Sequence, residues 1–413
     1  RFVFKYDKYL LAKSDNNSDV FDTLLFVRRD INEISLPSDI KIIGSCSCEL
    51  LSITDVSLPP NVEIIGPNSF SSSNIKQVLI PSSVTKICNN AFSGCENLTK
   101  VEFSRNSNLQ TIEESAFSLS KIEEISLPPS VSKICTRAFS QCYNLTKCVF
   151  PVNIKIEAIE VGLFEDSYIV EISIPQSVTA IFDNAFGRCK NLRKIEIPTN
   201  SNLKTIGKGA FSSTEIEEIY FPKSLIELKE GWCYNVNKLK KITISPSNDR
   251  FIFKDDKYLL GKSDNNGDDF DILLFVRRDI TEISLPLNIK IIGSGSFYNS
   301  QIHKIVIPAS VTKICESAFH YCNLRKLEIS DNSNLQTIED GAFQSSKINQ
   351  FCFPSSMSEI GHFSFSYCNG LKMVEISENT NIQSIPETSF HSSNPIVMIP
   401  SSLRKLVQED DKI

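Results

Sequence analysis

Three sets of residues in this 413-residue chain have types and spacings that could do chemistry. The first is cysteine. The stretch VTKICNNAFSGCENLTKVEF, Val84 to Phe103, holds Cys88 and Cys95 seven residues apart, and the chain has 13 cysteines in all. Thiolates ligate zinc, form disulfides or act as nucleophiles. The second set is His320 with Cys315 and Cys322, an imidazole near two thiols, as an activated nucleophile would need. The third is the run SDNNGDD, Ser263 to Asp269, where Asp264, Asn266 and Asp268 alternate as Asp15, Asn17 and Asp19 do earlier. Hard oxygen donors at i, i+2 and i+4 are calcium chemistry.

Each set weakens when read against its own copies. Cys95, Cys142, Cys189, Cys322 and Cys368 share one slot of alternate repeats, and Ser120, Thr214 and Ser346 fill that slot between them. Cys88, Cys135 and Cys315 form a second slot, where Phe182 and Gly361 also stand. Zinc needs its ligands clustered and tolerates no such exchange, whereas a free cysteine packs as a small hydrophobe. Disulfides between slots stay open, though an odd count leaves one thiol over. No other repeat copies His320, and His303, His362 and His391 are scattered. The chain carries no G-x-S-x-G, P-loop or H-E-x-x-H. The polar run lacks the glycine at position six and the distal glutamate of an EF-type loop, and Asn, Asp and Gly are what a hairpin turn requires. The expectation is no enzyme, no metal and no cofactor.

The elements that carry these residues are repeats. The unit I-x-x-x-A-F-x-x-[CS]-x-x-[LI]-x-x-[IVL]-x-[ILF]-P returns about 16 times at a period of roughly 22–24 residues. Its alternating end predicts a short strand with one buried face, closed by prolines such as Pro81, Pro128 and Pro175. Its aromatic recurs as Phe70, Phe92, Phe117, Phe139, Phe186, Phe211, Phe297, Phe319, Phe343, Phe365 and Phe390, which predicts a continuous aromatic spine through stacked turns. Two slots depart from the rule: Trp232–Cys233 replaces Ala-Phe, and Cys48 stands where a later copy has Phe297. One interval is lengthened by a block starting at Arg250, a near-duplicate of the block starting at Arg1, and both read as β-hairpins around a polar turn. The expected fold is thus a mainly β solenoid: a parallel sheet of about 16 short strands, short turns, 3-10 or helical segments on the opposite side, and β-hairpin insertions.

The unit SVTKICNNAFSGCENLTKVEF resembles the BspA-like class of leucine-rich repeats, and the hairpin block resembles the insertion found between repeats in that family. The resemblance spans almost the whole chain. It implies a surface protein that adheres to host cells, matrix proteins or other microbes, hence a cell-surface or secreted location. On this reading residues 1–413 are one solenoid, with hairpin modules at 1–30 and 250–279 and repeats over 31–249 and 280–413. The module at Arg1–Val27 is expected to cap one end, and the segment Ser401–Ile413 reads as a further, polar unit.

Composition agrees with a protein partner. Net charge is −6, no basic block points to nucleic acid, and no apolar run is long enough to span a membrane. Sequons at Asn16, Asn97 and Asn144 matter only in a secreted protein. The free thiols would instead suit an intracellular scaffold, the alternative reading. The candidate binding residues lie on the exposed side of the strands. There Lys100, Glu124, Lys147, Glu171, Lys194, Glu218 and Lys241 alternate in sign. Opposite charges side by side predict a self-satisfied ladder or a charged binding face on the concave sheet. The expected binding set is Lys147, Glu171, Lys194, Glu218, Tyr220, Lys241 and Lys326.

Overall fold

The computed structural model describes residues 2–15, 19–31, 33–264, 267–330, 332–378 and 380–400. The chain forms two compact units, residues 1–232 and 233–413, and both are stacks of the same β turn.

One turn shows how the pattern becomes structure. In the strand Lys100–Phe103, Val101 is buried while Lys100 and Glu102 face solvent. The chain then bends and forms a two-residue strand, Thr111–Ile112, with Ile112 fully buried. A tight turn follows, with Ser115 and Leu119 in the left-handed region at φ 54° and 61° and the buried Phe117 between them. Two left-handed residues flank each spine phenylalanine from Phe70 to Phe365 and reverse the chain too sharply for a helix. Such residues cost roughly 1–2 kcal/mol each, so the stacked turns must hold them. Backbone bonds do this: the Phe92 N–H donates to the Ala116 carbonyl at 2.8 Å, and the Phe117 N–H donates to the Ala138 carbonyl at 2.9 Å.

In the first unit an antiparallel meander of Phe2–Lys5, Tyr9–Ala12 and Thr23–Val27 begins a ladder of short strands. That ladder continues in parallel from Ile42–Ile43 to Lys133–Ile134, and a separate one runs from Ala158–Ile159 to Glu227–Leu228. The longer strands, from Gln77–Ile80 to Glu218–Phe221, form the main parallel ladder. The sequence predicts the main ladder; the second one is the structure's addition. Its cause is that stacked return limbs bring buried backbone groups opposite partners in the next turn, as where the Cys88 N–H donates to the Ile65 carbonyl at 2.9 Å. Among the described residues the sole helical element is the 3-10 segment Glu387–Phe390.

The aromatic spine is present and has one more member than the sequence pattern finds. Phe70, Phe92, Phe117 and Phe139 stack at 5.3, 5.3 and 5.4 Å with rings within 2° of parallel. Phe164 then carries the stack on to Phe186 and Phe211. Phe164 escapes the pattern because the large Leu163 stands in the slot before it, where the other spine turns have alanine or serine. Trp232 closes this unit's core, 1% exposed, with its ring edge-on to Phe211 and Phe221.

The second unit repeats the plan. A meander of Phe251–Lys254, Tyr258–Gly261 and Ile272–Val276 leads into the short strands Ile291–Ile292 through Glu359–Ile360. The polar turn of this meander is pinned by Asp271, only 2% exposed, which accepts from the Ser263 N–H at 2.8 Å and hydroxyl at 2.7 Å. Phe297, Phe319, Phe343 and Phe365 form its spine at 4.6, 5.0 and 5.1 Å. Gly295, at φ +62°, marks a divergence between the duplicated blocks. A Cβ there would lie 2.2 Å from the Tyr234 ring, so this position must be glycine, while the first block has the exposed Cys46.

Candidate functional site

The main ladder of the first unit sets Lys147, Glu171, Lys194 and Glu218 on one exposed face. Their register is direct: Glu124 lies opposite Lys147, Lys147 opposite Glu171, Glu171 opposite Lys194, and Lys194 opposite Glu218. Each strand achieves this because its central hydrophobe points inward, which forces both neighbours out. Tyr220, two residues beyond Glu218, is half-buried on the same strand. Lys241 and Lys326 are exposed strand residues of the second unit.

The charges alternate across strands as the sequence predicts, but the close ion pairs form along strands. Lys100 reaches Glu102 at 2.9 Å and Lys194 reaches Glu196 at 2.5 Å, each two residues ahead on its own strand. Glu196 also accepts from the Ser173 hydroxyl at 2.6 Å. The hydrogen bond from Lys194 holds the Glu196 carboxyl below its usual range and raises Lys194 in turn. The strand of Lys147 has Val149 at that forward position and the strand of Glu171 has Ser173, so neither offers a partner of opposite charge. Among the described residues Lys147 and Glu171 have no ion-pair partner within 4 Å. The self-satisfied ladder is therefore incomplete at its middle.

Where the alternation breaks in the second unit, a different device appears. Lys304 and Lys326 lie opposite each other, and Glu328 binds both, at 3.1 and 2.7 Å. Hydrogen bonds from Lys326 and Lys304 lower the Glu328 carboxyl. Lys326 is thus already paired.

An open groove of about 1430 Å³ lies over the first unit's strands at Lys100 and Glu124, with Leu79, Glu102, Ser126 and Thr146 also lining it. Arg105, Asn106 and Ser107 form its wall. The sequence signal for that wall is the lengthened connection SRNSN after the strand, which the repeat alignment treats as spacing. Asn97 and Asn144 are exposed in matching positions, and Asn144 borders the groove; Asn16 lies outside the described residues.

The residues that first suggested chemistry are placed otherwise. The Cys95 thiol donates to the Phe70 carbonyl at 3.1 Å and meets the Ser73 hydroxyl at 3.5 Å. Cys142 does the same with Phe117 and Ser120, and Cys189 with Phe164 and Ser167. The slot is a thiol-to-carbonyl tie between turns, with serine in the intervening ones. Burial pushes Cys142 up to about 11 and Cys189 up to about 12, so these thiols stay protonated. All 13 cysteines are free.

His320 lies between the rings of Tyr298 and Tyr321 at 5.1 and 4.4 Å, and burial lowers its pKa, while the Cys322 thiol meets the Ser300 hydroxyl at 2.9 Å. In the polar run, Asn266 and its counterpart Asn17 lie outside the described residues, as do Arg1 and Ser401–Ile413. No cluster of three or more His, Cys, Asp or Glu that could hold a metal occurs among the described residues. Among the described residues no helix is long and apolar enough to cross a membrane.

Stacked short turns, a parallel ladder with one solvent-facing side and a buried aromatic spine define a leucine-rich-repeat β-solenoid. The family described as BspA type leucine rich repeat region matches residues 21–146, 132–253 and 273–406, in six copies. The chain belongs to that family. Among solved structures it is similar to a leucine-rich repeat protein from Bacteroides ovatus, at 21% identity and TM-score 0.60, covering 96% of this chain and 100% of that one. It is also similar to a leucine rich cell surface protein from Faecalibacterium prausnitzii, at 19% identity and TM-score 0.64, covering 100% of this chain and 99% of that one. A search of curated proteins finds no match.

Proposed function

We propose that this chain is a non-catalytic recognition protein of the cell surface that adheres to protein components of host cells, matrix or other microbes. In the first unit the exposed face of the main ladder is the binding surface, with Lys147, Glu171, Lys194, Glu218 and Tyr220; in the second unit the exposed strand residues Lys241 and Lys326 are the separate candidates. The observation that carries the reading is the gap in the charge ladder: Lys147 and Glu171 sit in register on a rigid sheet with no ion-pair partner among the described residues. Charges that make no close ion pair can bind a partner's charges without first breaking bonds of their own. The family, and a structural neighbour bearing a cell-surface name, support the location.

The test is binding of the purified chain to intact host cells and immobilised matrix proteins, with Lys147→Glu and Glu171→Lys as variants. Each reversal is expected to weaken binding by about tenfold, from one lost pair and one new repulsion. Retained affinity in both would remove the ladder face from the proposal. The free thiols, with Cys46 and Cys352 exposed, favour a second reading, an intracellular scaffold, because exposed thiols persist in reducing compartments. Labelling of intact cells with an impermeant reagent separates the two: an unlabelled protein places it inside.

A further inference from the structure

The second unit carries a slot that the ladder face does not use. It is an open cavity of about 730 Å³ walled by Tyr321 on one side and Tyr367 on the other. Gln344, Ser345, Lys347 and Asn369 also line it. The spacing follows from the repeat. Tyr321, Ser345 and Tyr367 each come two residues after a spine phenylalanine, and those phenylalanines step by 5.0 and 5.1 Å. The two tyrosine positions are thus about 10 Å apart, two ladder steps, with the small serine between them.

Both walls are braced from behind. The Tyr321 ring packs edge-on against Tyr298 at 6.0 Å and lies 4.4 Å from His320. The Tyr367 ring packs edge-on against His391 at 5.5 Å. Tyr298 and His391 belong to the turns on either side of the slot. The backbone beneath is tied by Tyr321 N–H to Gln344 O at 3.0 Å and by Ser345 N–H to Ser366 O at 2.8 Å. Neither tyrosine contributes to the core, since they are 56% and 46% exposed.

We propose that this slot is a carbohydrate subsite that takes one pyranose ring of a glycan. A pyranose presents apolar C–H groups on its faces and hydroxyls around its edge. The faces suit two aromatic walls too far apart for a single flat ring to touch both. The edge hydroxyls suit the amides of Gln344 and Asn369 and the hydroxyl of Ser345, which both donate and accept. Among the described residues no carboxylate lines the slot. Lys347 adds one cationic donor, which favours sugars bearing a carboxylate, the uronic and sialic acids, over neutral ones. Braced walls lower the ordering cost that a shallow site would otherwise meet.

The test uses the full chain on an array of immobilised glycans, followed by calorimetry with the best soluble oligosaccharide. Tyr321→Ala and Tyr367→Ala should each weaken binding by about tenfold, a single lost aromatic contact. Tyr321→Phe and Tyr367→Phe should stay within about threefold, because the ring face is kept. Lys347→Ala should reduce the preference for acidic over neutral sugars. All five variants should leave binding through Lys147 and Glu171 unchanged, so the two proposals fail independently. The inference is overturned if the chain binds no glycan on the array, if both alanine variants bind as the parent does, or if the tyrosines instead govern binding of a proline-rich peptide.

Discussion

The aromatic spine makes a demand that can be tested at Phe117. Its ring is fully buried and stacks on Phe92 at 5.3 Å and on Phe139 at 5.4 Å. Phe117→Ala removes a large buried side chain, about 1.5–3 kcal/mol of burial. It also removes two ring contacts, each about 0.5–1.5 kcal/mol beyond burial. The expected loss is about 4 kcal/mol, within the ~3–5 kcal/mol seen for such truncations. Turns couple mainly to their neighbours, so the loss should be read locally. The amides of Phe92 and Phe139 donate to Ala116 and Leu163 in the adjacent turns, and their exchange with deuterium reports opening at this place. At about 1.4 kcal/mol per decade, their protection should fall about a thousandfold. Cys142→Ser is the control, since serine already serves in the matching slot at Ser120 and Ser167, and it should cost under about 1 kcal/mol. Equal losses from the two variants, or a Phe117→Ala loss below about 1.5 kcal/mol, would refute the reasoning that ring stacking stabilises this turn.

Two further expectations follow from the buried groups. Of the 13 thiols only Cys46 and Cys352 are exposed, so native protein should react rapidly with a disulfide reagent at those two, and at all 13 once denatured; fast reaction of the spine-slot thiols would contradict the carbonyl ties. Asp271 is pulled up by desolvation but pulled down further by bonds from Ser263 and Lys290, for a net lowering. Its contribution is therefore present above the unfolded carboxyl value and lost as pH falls through the folded one. Asp271→Asn should destabilise by about 2 kcal/mol at pH 7, and urea midpoints of variant and parent should converge below about pH 4. A gap independent of pH would show that the carboxylate charge is not what pins the turn.

Much of this architecture is legible residue by residue. The inward pointing of Val101 and Ile195 follows from alternation, and so does the outward pointing of Lys100 and Lys194. The cysteine slots resolve into packing positions by comparison with Ser120, Thr214 and Phe182 alone. Phe164 is missed because the slot before the aromatic holds alanine or serine elsewhere and the larger Leu163 breaks that pattern, although the stack accepts it. The second ladder is missed because two-residue strands are too short to show a period. The slot between Tyr321 and Tyr367 is missed because the two residues lie 46 positions apart and become neighbours only through the step of the stack.

By itself the sequence determined the repeat, its family, the inward and outward sides of each strand, and the register that sets lysine against glutamate. These are periodic properties, and a period fixes them before any contact is known. The tertiary structure decided which charges pair. Lys194 turns along its strand to Glu196, Glu328 takes two lysines, and Lys147 and Glu171 are left without an ion-pair partner among the described residues. The reason is that a lysine ammonium sits at the end of a long flexible chain and reaches several carboxylates, so register brings opposite charges near without choosing among them.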